Sequence, residues 1–571
     1  MRLTLLAWRK SPLPIAYARM LAVLAAWLLV SLLSFRAQAQ APAFTSAVPC
    51  GAGSVGFGNG LRIAQNVLDA VGNTYVTGYF LNSATFGTIS LQSPGYNMFI
   101  AKFDPSGTVL WAVRAGGGTE GRGIAVDASG NVLVTGAFRG TVAFGAVQLV
   151  SVGNFDNAFI AKLTATGSFL WAVRAGGNGE NIGNGIAVDA TGNSYVCGSY
   201  SAANPNIADF GPFTMSVTNP GAGDVFVTKL DPAGTFLWAT GGGGSQYDEA
   251  NGIALDATGS VYITGGITGS FGTVARFGPA TVTENGDYDI LVAKLSPAGA
   301  FLWATGAGGQ TADIGKRIAV DAQGNTHVVG WLMSAQVAFG SVTLPHPNQG
   351  TFDAFVAQLT PAGAWQWAVA GGGPGNDYGN DLVLDAAGNT YAVGGCSYQA
   401  LFGNTVLTTS GDQDVFVCKI DAVGAYAWAA QAGGSGNDQA TGVVRDAAGA
   451  LVITGSTLSS LAIFGAQGIV GNPTADTGFL SRLASIPLAV VPARSGPELA
   501  LWPNPARSGE VIHLTGLVTR QPVEVRDVLG RVVLVVPVPA SGAVEMTLPT
   551  DLASGVYFAR TGLQVRRFSV Q

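Results

Sequence analysis

LWAVRAGG at 110–117 is followed by GIAVDASGNVLVTG at 123–136. Both phrases recur along the chain. The first returns as LWAVRAGG at 170–177, LWATGGGG at 237–244 and LWATGAGG at 302–309, and more loosely as QWAVAGGG at 366–373 and AWAAQAGG at 427–434. Its tryptophans, Trp111, Trp171, Trp238, Trp303, Trp367 and Trp428, are spaced by 60, 67, 65, 64 and 61 residues. The second returns at 185–198, 252–265, 318–330, 382–394 and 442–455, and a further copy, NVLDAVGNTYVTG at 66–78, precedes the first tryptophan. A third phrase, MFIAKFDPSG at 98–107, recurs to a seventh copy, GFLSRLASIP at 478–487. A fixed period of this length marks stacked units, none of which buries its apolar surface alone.

Each copy reads as four β-strands: A (GIAVD), B (NVLVTG), C (FIAKF) and D (LWAVRAGG). β-Branched and aromatic residues dominate, and both faces are apolar. D-A-x-G-N between A and B is a tight hairpin, because Asp bonds turn amides and Gly accepts positive φ. D-P-x-G and its variants turn C into D. Between B and C stands a Phe-Gly pair, first at Phe86-Gly87 and last at Phe464-Gly465, followed by a short apolar stretch. These read as an extra hairpin on each B–C ribbon. Sheets with two apolar faces are covered on both sides when they stack around an axis. There are seven A–B hairpins and seven C strands but only six tryptophan-bearing D strands. FTSAVPCGAG at 44–53 fits the missing D strand. The expected fold is all-β: a seven-bladed β-propeller of four-stranded blades with extra B–C hairpins, over residues 40–485, its ring closed by the N-terminal strand. An open solenoid would leave residues 44–53 unexplained.

The phrases GIAVDASGN, DxFVAKLD and LWA…GG resemble the bacterial β-propeller repeat called SBBP, over residues 44–485. The resemblance implies a propeller and no single activity.

Composition narrows the function classes. Glycine is 82 of 571 residues, charged residues are 11% and hydrophobic residues 48%. Such a chain has ample apolar surface for a core, and its glycine argues against long helices. Residues 1–39 carry Arg2, Arg9, Lys10, Arg19 and Arg36, no acid, the apolar run Met20–Phe35 and Ala37-Gln38-Ala39. This pattern reads as a secretory signal peptide cleaved after Ala39. Sixteen apolar residues are short for a membrane span. Removal of the leader changes the net charge from -6 to -11, a balance that disfavours nucleic acid as partner. Cys50, Cys197, Cys396 and Cys418 match no zinc spacing. Of their pairings, Cys396 with Cys418 is the bridge to test, since both fall in neighbouring strands of one repeat.

Residues 486–498 read as a linker. Residues 499–571 read as a small β-sandwich of six or seven strands. Pro503-Asn504-Pro505, Asp527 with Gly530-Arg531, Leu552 with Gly555-Val556-Tyr557, and Arg566-Arg567-Phe568 stand in an order that resembles the C-terminal sorting domain of type IX secretion substrates. The resemblance implies passage across the outer membrane by the type IX machinery. It also implies removal of the domain by a sorting protease and release, or attachment to surface lipopolysaccharide. The protein is then secreted or held at the outer-membrane surface. Trp502 stands where Tyr or Phe is usual, and the end is Ser-Val-Gln rather than near a Lys.

The D–A loops place Glu120, Glu180, Asp248, Glu249, Asp313, Asp377, Asp381 and Asp438 near the mouth of the expected central channel. Among these, Asp248, Glu249, Asp377, Asp381 and Asp438 are the candidate ligand-binding residues, for Ca²⁺ or hydroxyl-rich sugars. The same Asp residues could instead cap the turns leading into strand A. Arg122, Lys316, Arg317, Tyr247 and Tyr378 break the repeat there. No catalytic constellation is recognisable, no metal site is expected, and the glycine runs lack the G-K-[ST] of a phosphate loop. The expected function is a monomeric binding or adhesion scaffold for a glycan or protein, not an enzyme. A structural envelope component and a polysaccharide hydrolase or lyase are the alternatives.

Overall fold

The computed structural model describes residues 41–53, 60–202, 207–219, 222–346, 350–484, 500–515, 517, 521–527, 531–539, 543–561 and 564–571. The expected leader with Ala39, the linker at 486–498 and Gly530 lie outside the described residues. Among the described residues there is no helix. The chain divides into two compact units, Met1–Ser485 and Ile486–Gln571.

In the first unit the repeated phrases fold into antiparallel sheets with strands in the order A-B-C-D. The fourth copy is representative: A (Glu249–Leu255), B (Val261–Thr268), C (Tyr288–Leu295) and D (Phe301–Ala307). The A–B turn shows why D-A-x-G-N recurs. Asp256 Oδ1 accepts the amides of Thr258 and Ser260, each at 2.9 Å, and Oδ2 accepts the Tyr262 hydroxyl at 3.1 Å. Lys294 of strand C stands 3.7 Å from the same carboxylate and caps the Tyr262 ring. Gly259 holds φ +81, a conformation that disfavours any side chain.

The Phe-Gly pairs form hairpins such as Val274–Phe277 with Ala280–Thr283. Every hairpin Phe is fully buried, and most meet a strand C aromatic: Phe144 stands 4.9 Å from Phe159 and Phe402 4.6 Å from Phe416, ring to ring. The hairpins are thereby pinned to the core of their own copy.

The tryptophans of strand D tie one copy to the next. Trp238 Nε1 donates to the carbonyl of Pro297, in the C–D turn of the following copy, at 3.2 Å. Trp111, Trp171 and Trp303 repeat the bond to Ala165, Pro232 and Pro361. These rings are half-buried. Trp428, at 2% exposure, is the fully buried member of the set.

Residues Phe44–Gly53 form a strand. It pairs antiparallel with strand C of the last copy (Thr477–Leu483), placing Ala47 opposite Ser481 and Val48 opposite Leu480. It thus takes the D position that lacks a tryptophan. Its far end also pairs with strand B of the first copy, Ala52 opposite Thr85.

All four cysteines are free and buried. Cys396 lies opposite Asp414, whereas Cys418 lies opposite Ala392. The two are therefore four residues apart along the ladder, about 13 Å, too far for the bridge the sequence suggested.

The second unit contains a three-stranded sheet (Ala500–Trp502, Val511–Thr515, Val544–Thr547) and a four-stranded one (Val523–Asp527, Val532–Val536, Gly555–Thr561, Gln564–Val570). Ile512, Leu514 and Met546 of one pack with Val525, Ala559 and Phe568 of the other in a single core.

Candidate functional site

In strand A of every copy, pairing with strand B slips by one residue. The skipped residues are Ala64, Arg122, Asn184, Asn251, Lys316, Asn380 and Thr441. A bulge of this kind bends the strand and re-aims the residue it leaves out. All seven line one cavity of about 600 Å³. The A strands of all the copies therefore face a common space.

That cavity is chemically unlike the rest of the chain. Arg62, Arg122, Lys316 and Arg317 line it, and Glu120 is its one carboxylate among the described residues. Glu120 is committed to Arg122, at 3.2 Å. Arg317 Nη1 donates to the Asn251 carbonyl at 2.8 Å, which fixes the guanidinium, while its Nε is buried without a partner. Burial lowers the Lys316 ammonium below its ordinary range; Glu249 opposes this, and Arg317, Arg122 and Arg62 add to it. The remaining lining is amide-rich, with Asn184, Asn251, Asn380, Gln413, Asn437 and Gln439. Trp331 and Tyr378 supply aromatic surface, their rings 6.3 Å apart and nearly perpendicular.

The acids singled out in the sequence are elsewhere. Asp248, Asp377 and Asp438 are completely buried and do not line the cavity. Asp377 Oδ2 accepts the Gly373 amide at 2.8 Å and Oδ1 the Ser397 amide at 2.9 Å. Asp438 accepts the Gly434 amide at 2.6 Å and the Ser459 hydroxyl at 2.7 Å. Asp248 repeats the pattern with Gly244 and Thr268. These residues hold the D–A turn against strand B, which corrects their placement at the channel mouth. Asp381 is buried between two copies, accepting the Leu382 and Val443 amides at 2.9 Å each. It lines a second, smaller cavity of about 280 Å³. Glu249 is half-buried and accepts the Asn251 side-chain amide at 3.0 Å.

Each buried turn Asp faces a second one. Asp224 Oδ1 and Asp248 Oδ2 both stand 2.5 Å from the point a Cβ on Gly243 would occupy. Asp353 with Asp377 at Gly372, and Asp414 with Asp438 at Gly433, repeat this. The glycine is obligatory because a methyl group would collide with both carboxylates. Asp224, Asp289, Asp353 and Asp414 each keep a buried Oδ1 with no partner. Burial pushes Asp248 and Asp377 up to about 7, and their carboxylate neighbours add to the rise. Asp289 is pushed up to about 6, again by burial first and by Asp313. In the second and third copies the same two positions are Asn157 and Asn181. Both side-chain amides donate to the Gly177 carbonyl at 3.1 Å.

Sequence reasoning found Arg122, Lys316, Arg317 and Tyr378 as departures from the repeat. It missed that they share one surface with Arg62 and the three asparagines. The available signal was the changing middle residue of G-R-G, G-N-G, A-N-G, G-K-R, G-N-D and A-T-G at the head of strand A.

In the second unit the motif residues are structural ties. Asp527 accepts the Arg531 amide at 2.9 Å and its Nε at 2.7 Å. Asn504 Oδ1, between Pro503 and Pro505, accepts the Ser569 amide at 3.0 Å. Gly555 begins a strand, and Tyr557 donates to the Ala553 carbonyl at 2.8 Å.

Repeated four-stranded sheets whose A strands surround a shared cavity define a repeat β-propeller protein. The chain is 26% identical, over 199 residues, to an uncharacterized WD repeat-containing protein, L264, of Acanthamoeba polyphaga mimivirus. The match covers 30% of this chain, and it spans only 14% of that protein's length. No family model matches the chain. Among solved structures it is similar to an ulvan lyase of polysaccharide lyase family PL25 (12% identity, TM-score 0.39, 71% of this chain and 92% of that one). It is also similar to YCF48 bound to D1 peptide (8%, 0.35, 78% and 100%) and to the Pan2 WD40 domain of Neurospora crassa (10%, 0.30, 64% and 89%). At these scores the likeness carries nothing about ligand or chemistry.

Proposed function

We propose that this chain is an exported binding scaffold: a seven-bladed propeller closed by residues 44–53, taking its ligand in the axial cavity. The observation that carries this reading is the convergence of seven bulge residues on one space. The residue at that position changes around the copies, through Ala64, Arg122, Asn184, Asn251, Lys316, Asn380 and Thr441. The ligand is a glycan or a protein segment that enters the cavity. Binding without catalysis is favoured because, among the described residues, Glu120 is the one carboxylate lining the cavity, and it is tied to Arg122. Glycoside hydrolysis ordinarily needs two carboxyl groups. No bound metal is required by this reading, since Asp248, Asp377 and Asp438 are taken up by turn amides. Delivery follows the SBBP-like and type IX-like resemblances: export by way of residues 1–39, sorting through residues 499–571, and a final place at the outer-membrane surface or in the medium.

The test is a glycan and protein array probed with the full chain lacking its leader, alongside Thr441→Trp, which fills the cavity. The reading expects at least one ligand that the wild type binds and Thr441→Trp does not, with unchanged melting. Ligands bound equally by both would place recognition elsewhere.

A further inference from the structure

We propose that the axial cavity is a seat for an acidic sugar residue, one bearing a carboxylate or sulfate; this rests on the cavity being the ligand site.

The first argument is charge. The chain is acidic overall, at -6, yet four cations line one cavity of about 600 Å³. Only Arg122 is ion-paired there among the described residues. Glu249 acts on Lys316, Asp381 on Arg317 and Asp476 on Arg62 from beyond ion-pair distance. Clustered cations repel one another, and repulsion of this kind is relieved by an anion shared between them. The groups differ in kind: the Arg62 guanidinium presents a planar fork that suits carboxylate or sulfate oxygens, Arg122 and Arg317 keep the donors not already given to Glu120, Asn184 and the Asn251 carbonyl, and the Lys316 ammonium adds a point charge.

The second argument is the amide lining between the cations. Asn437 and Gln439 present side chains that both donate and accept, while Asn380 and Gln413 give an amide N–H to the Ala440 and Asn376 carbonyls and keep their oxygens as acceptors. Vicinal hydroxyls, each a donor and an acceptor, match such groups one for one. Trp331 and Tyr378 lie in the same lining, and their faces suit the apolar C–H face of a sugar ring. A ligand that carries both an anionic group and hydroxyls satisfies both kinds of lining group. An acidic peptide would satisfy the cations and leave the amides to bind water. The volume falls in the range of small-ligand sites.

Calorimetry on the full chain without its leader tests this with four probes: trigalacturonate, a κ-carrageenan tetrasaccharide, neutral galactotriose and hexa-aspartate. The proposal expects binding of trigalacturonate or the carrageenan fragment at least tenfold tighter than of galactotriose or hexa-aspartate. It expects that binding to weaken when salt rises from 50 to 500 mM. Arg122→Gln with Lys316→Gln should weaken it tenfold or more at unchanged melting temperature. Which of the two sugars binds separates carboxylate from sulfate. Failure of both acidic sugars overturns the proposal, as does equal binding of galactotriose, tighter binding of hexa-aspartate, or indifference to the double substitution. If a neutral glycan binds and Thr441→Trp abolishes it, the cavity remains the ligand site and only the acidic class falls. If no ligand responds to Thr441→Trp, the site itself falls.

Discussion

Single residues explain why the phrases repeat. The Asp of D-A-x-G-N is a hub: Asp256 gathers two amides, two hydroxyls and Lys294. Replacing it leaves those donors facing one another. Asp256→Ala should therefore cost about 2–3 kcal/mol, measured by denaturant unfolding, and Asp256→Asn should cost less. The tryptophan is a lesser term than its recurrence in the sequence suggests. Trp238 is half-buried. It lies over Gly299, where a Cβ would stand 2.8 Å from the ring. Trp238→Ala should cost about 3 kcal/mol, at the lower end for large aromatics, and a cost below about 0.5 kcal/mol would contradict its packing against the following copy. Turn chemistry of this kind is legible because every participant except the lysine lies within six residues of the Asp. The cavity residues were not, because a bulge is a property of the ladder and leaves only a faint trace in the strand's own sequence.

Elements add a pH dependence that no single copy announces. Asp224 and Asp248 are 24 residues apart and meet only after strand D has folded back. The pairing is therefore invisible in the sequence, although the Gly-Gly it demands is plain. Asp248 and Asp377 titrate near 7 and Asp289 near 6 in the folded chain, raised first by burial. All stand above the value near 4 of an unfolded Asp. The folded state binds the extra protons, so this stabilisation is complete below about pH 4 and is lost as pH rises through 6 to 7. At the A–B turns the sense is opposite. Burial works against the charge of Asp127, Asp189 and Asp256, but hydrogen bonds led by Asn131, Asn193 and Thr258 outweigh it and hold them below the usual range. Their contribution is lost as pH falls below about 4. Melting followed from pH 3 to 9 should peak between about 4 and 6 and decline toward 8. Asp248→Asn with Asp377→Asn, the residue type found naturally at Asn181, should flatten the alkaline decline. A melting temperature that rises from pH 5 to 8 would contradict the paired carboxylates.

At the scale of the whole molecule, the repeat count and the order A-B-C-D were legible, since each phrase marks one strand and its turn. The bend at the head of strand A was not. The N-terminal strand was legible only by subtraction, as the seventh D strand lacking its tryptophan. The structure shows Phe44–Gly53 paired with Thr477–Leu483, more than 400 residues away in sequence. If this pairing holds the two ends of the propeller together, deleting residues 41–53 exposes the strand C edge of the last copy and the buried Phe464 and Phe479. The melting temperature should then fall by about 10 °C or more, read by calorimetry. The most direct test is a covalent one. Ala47 lies opposite Ser481, so Ala47→Cys with Ser481→Cys, oxidised under native conditions and mapped by mass spectrometry, should give an intramolecular cross-link between the two ends and a higher melting temperature. A folded double variant that yields no such link would contradict the ring.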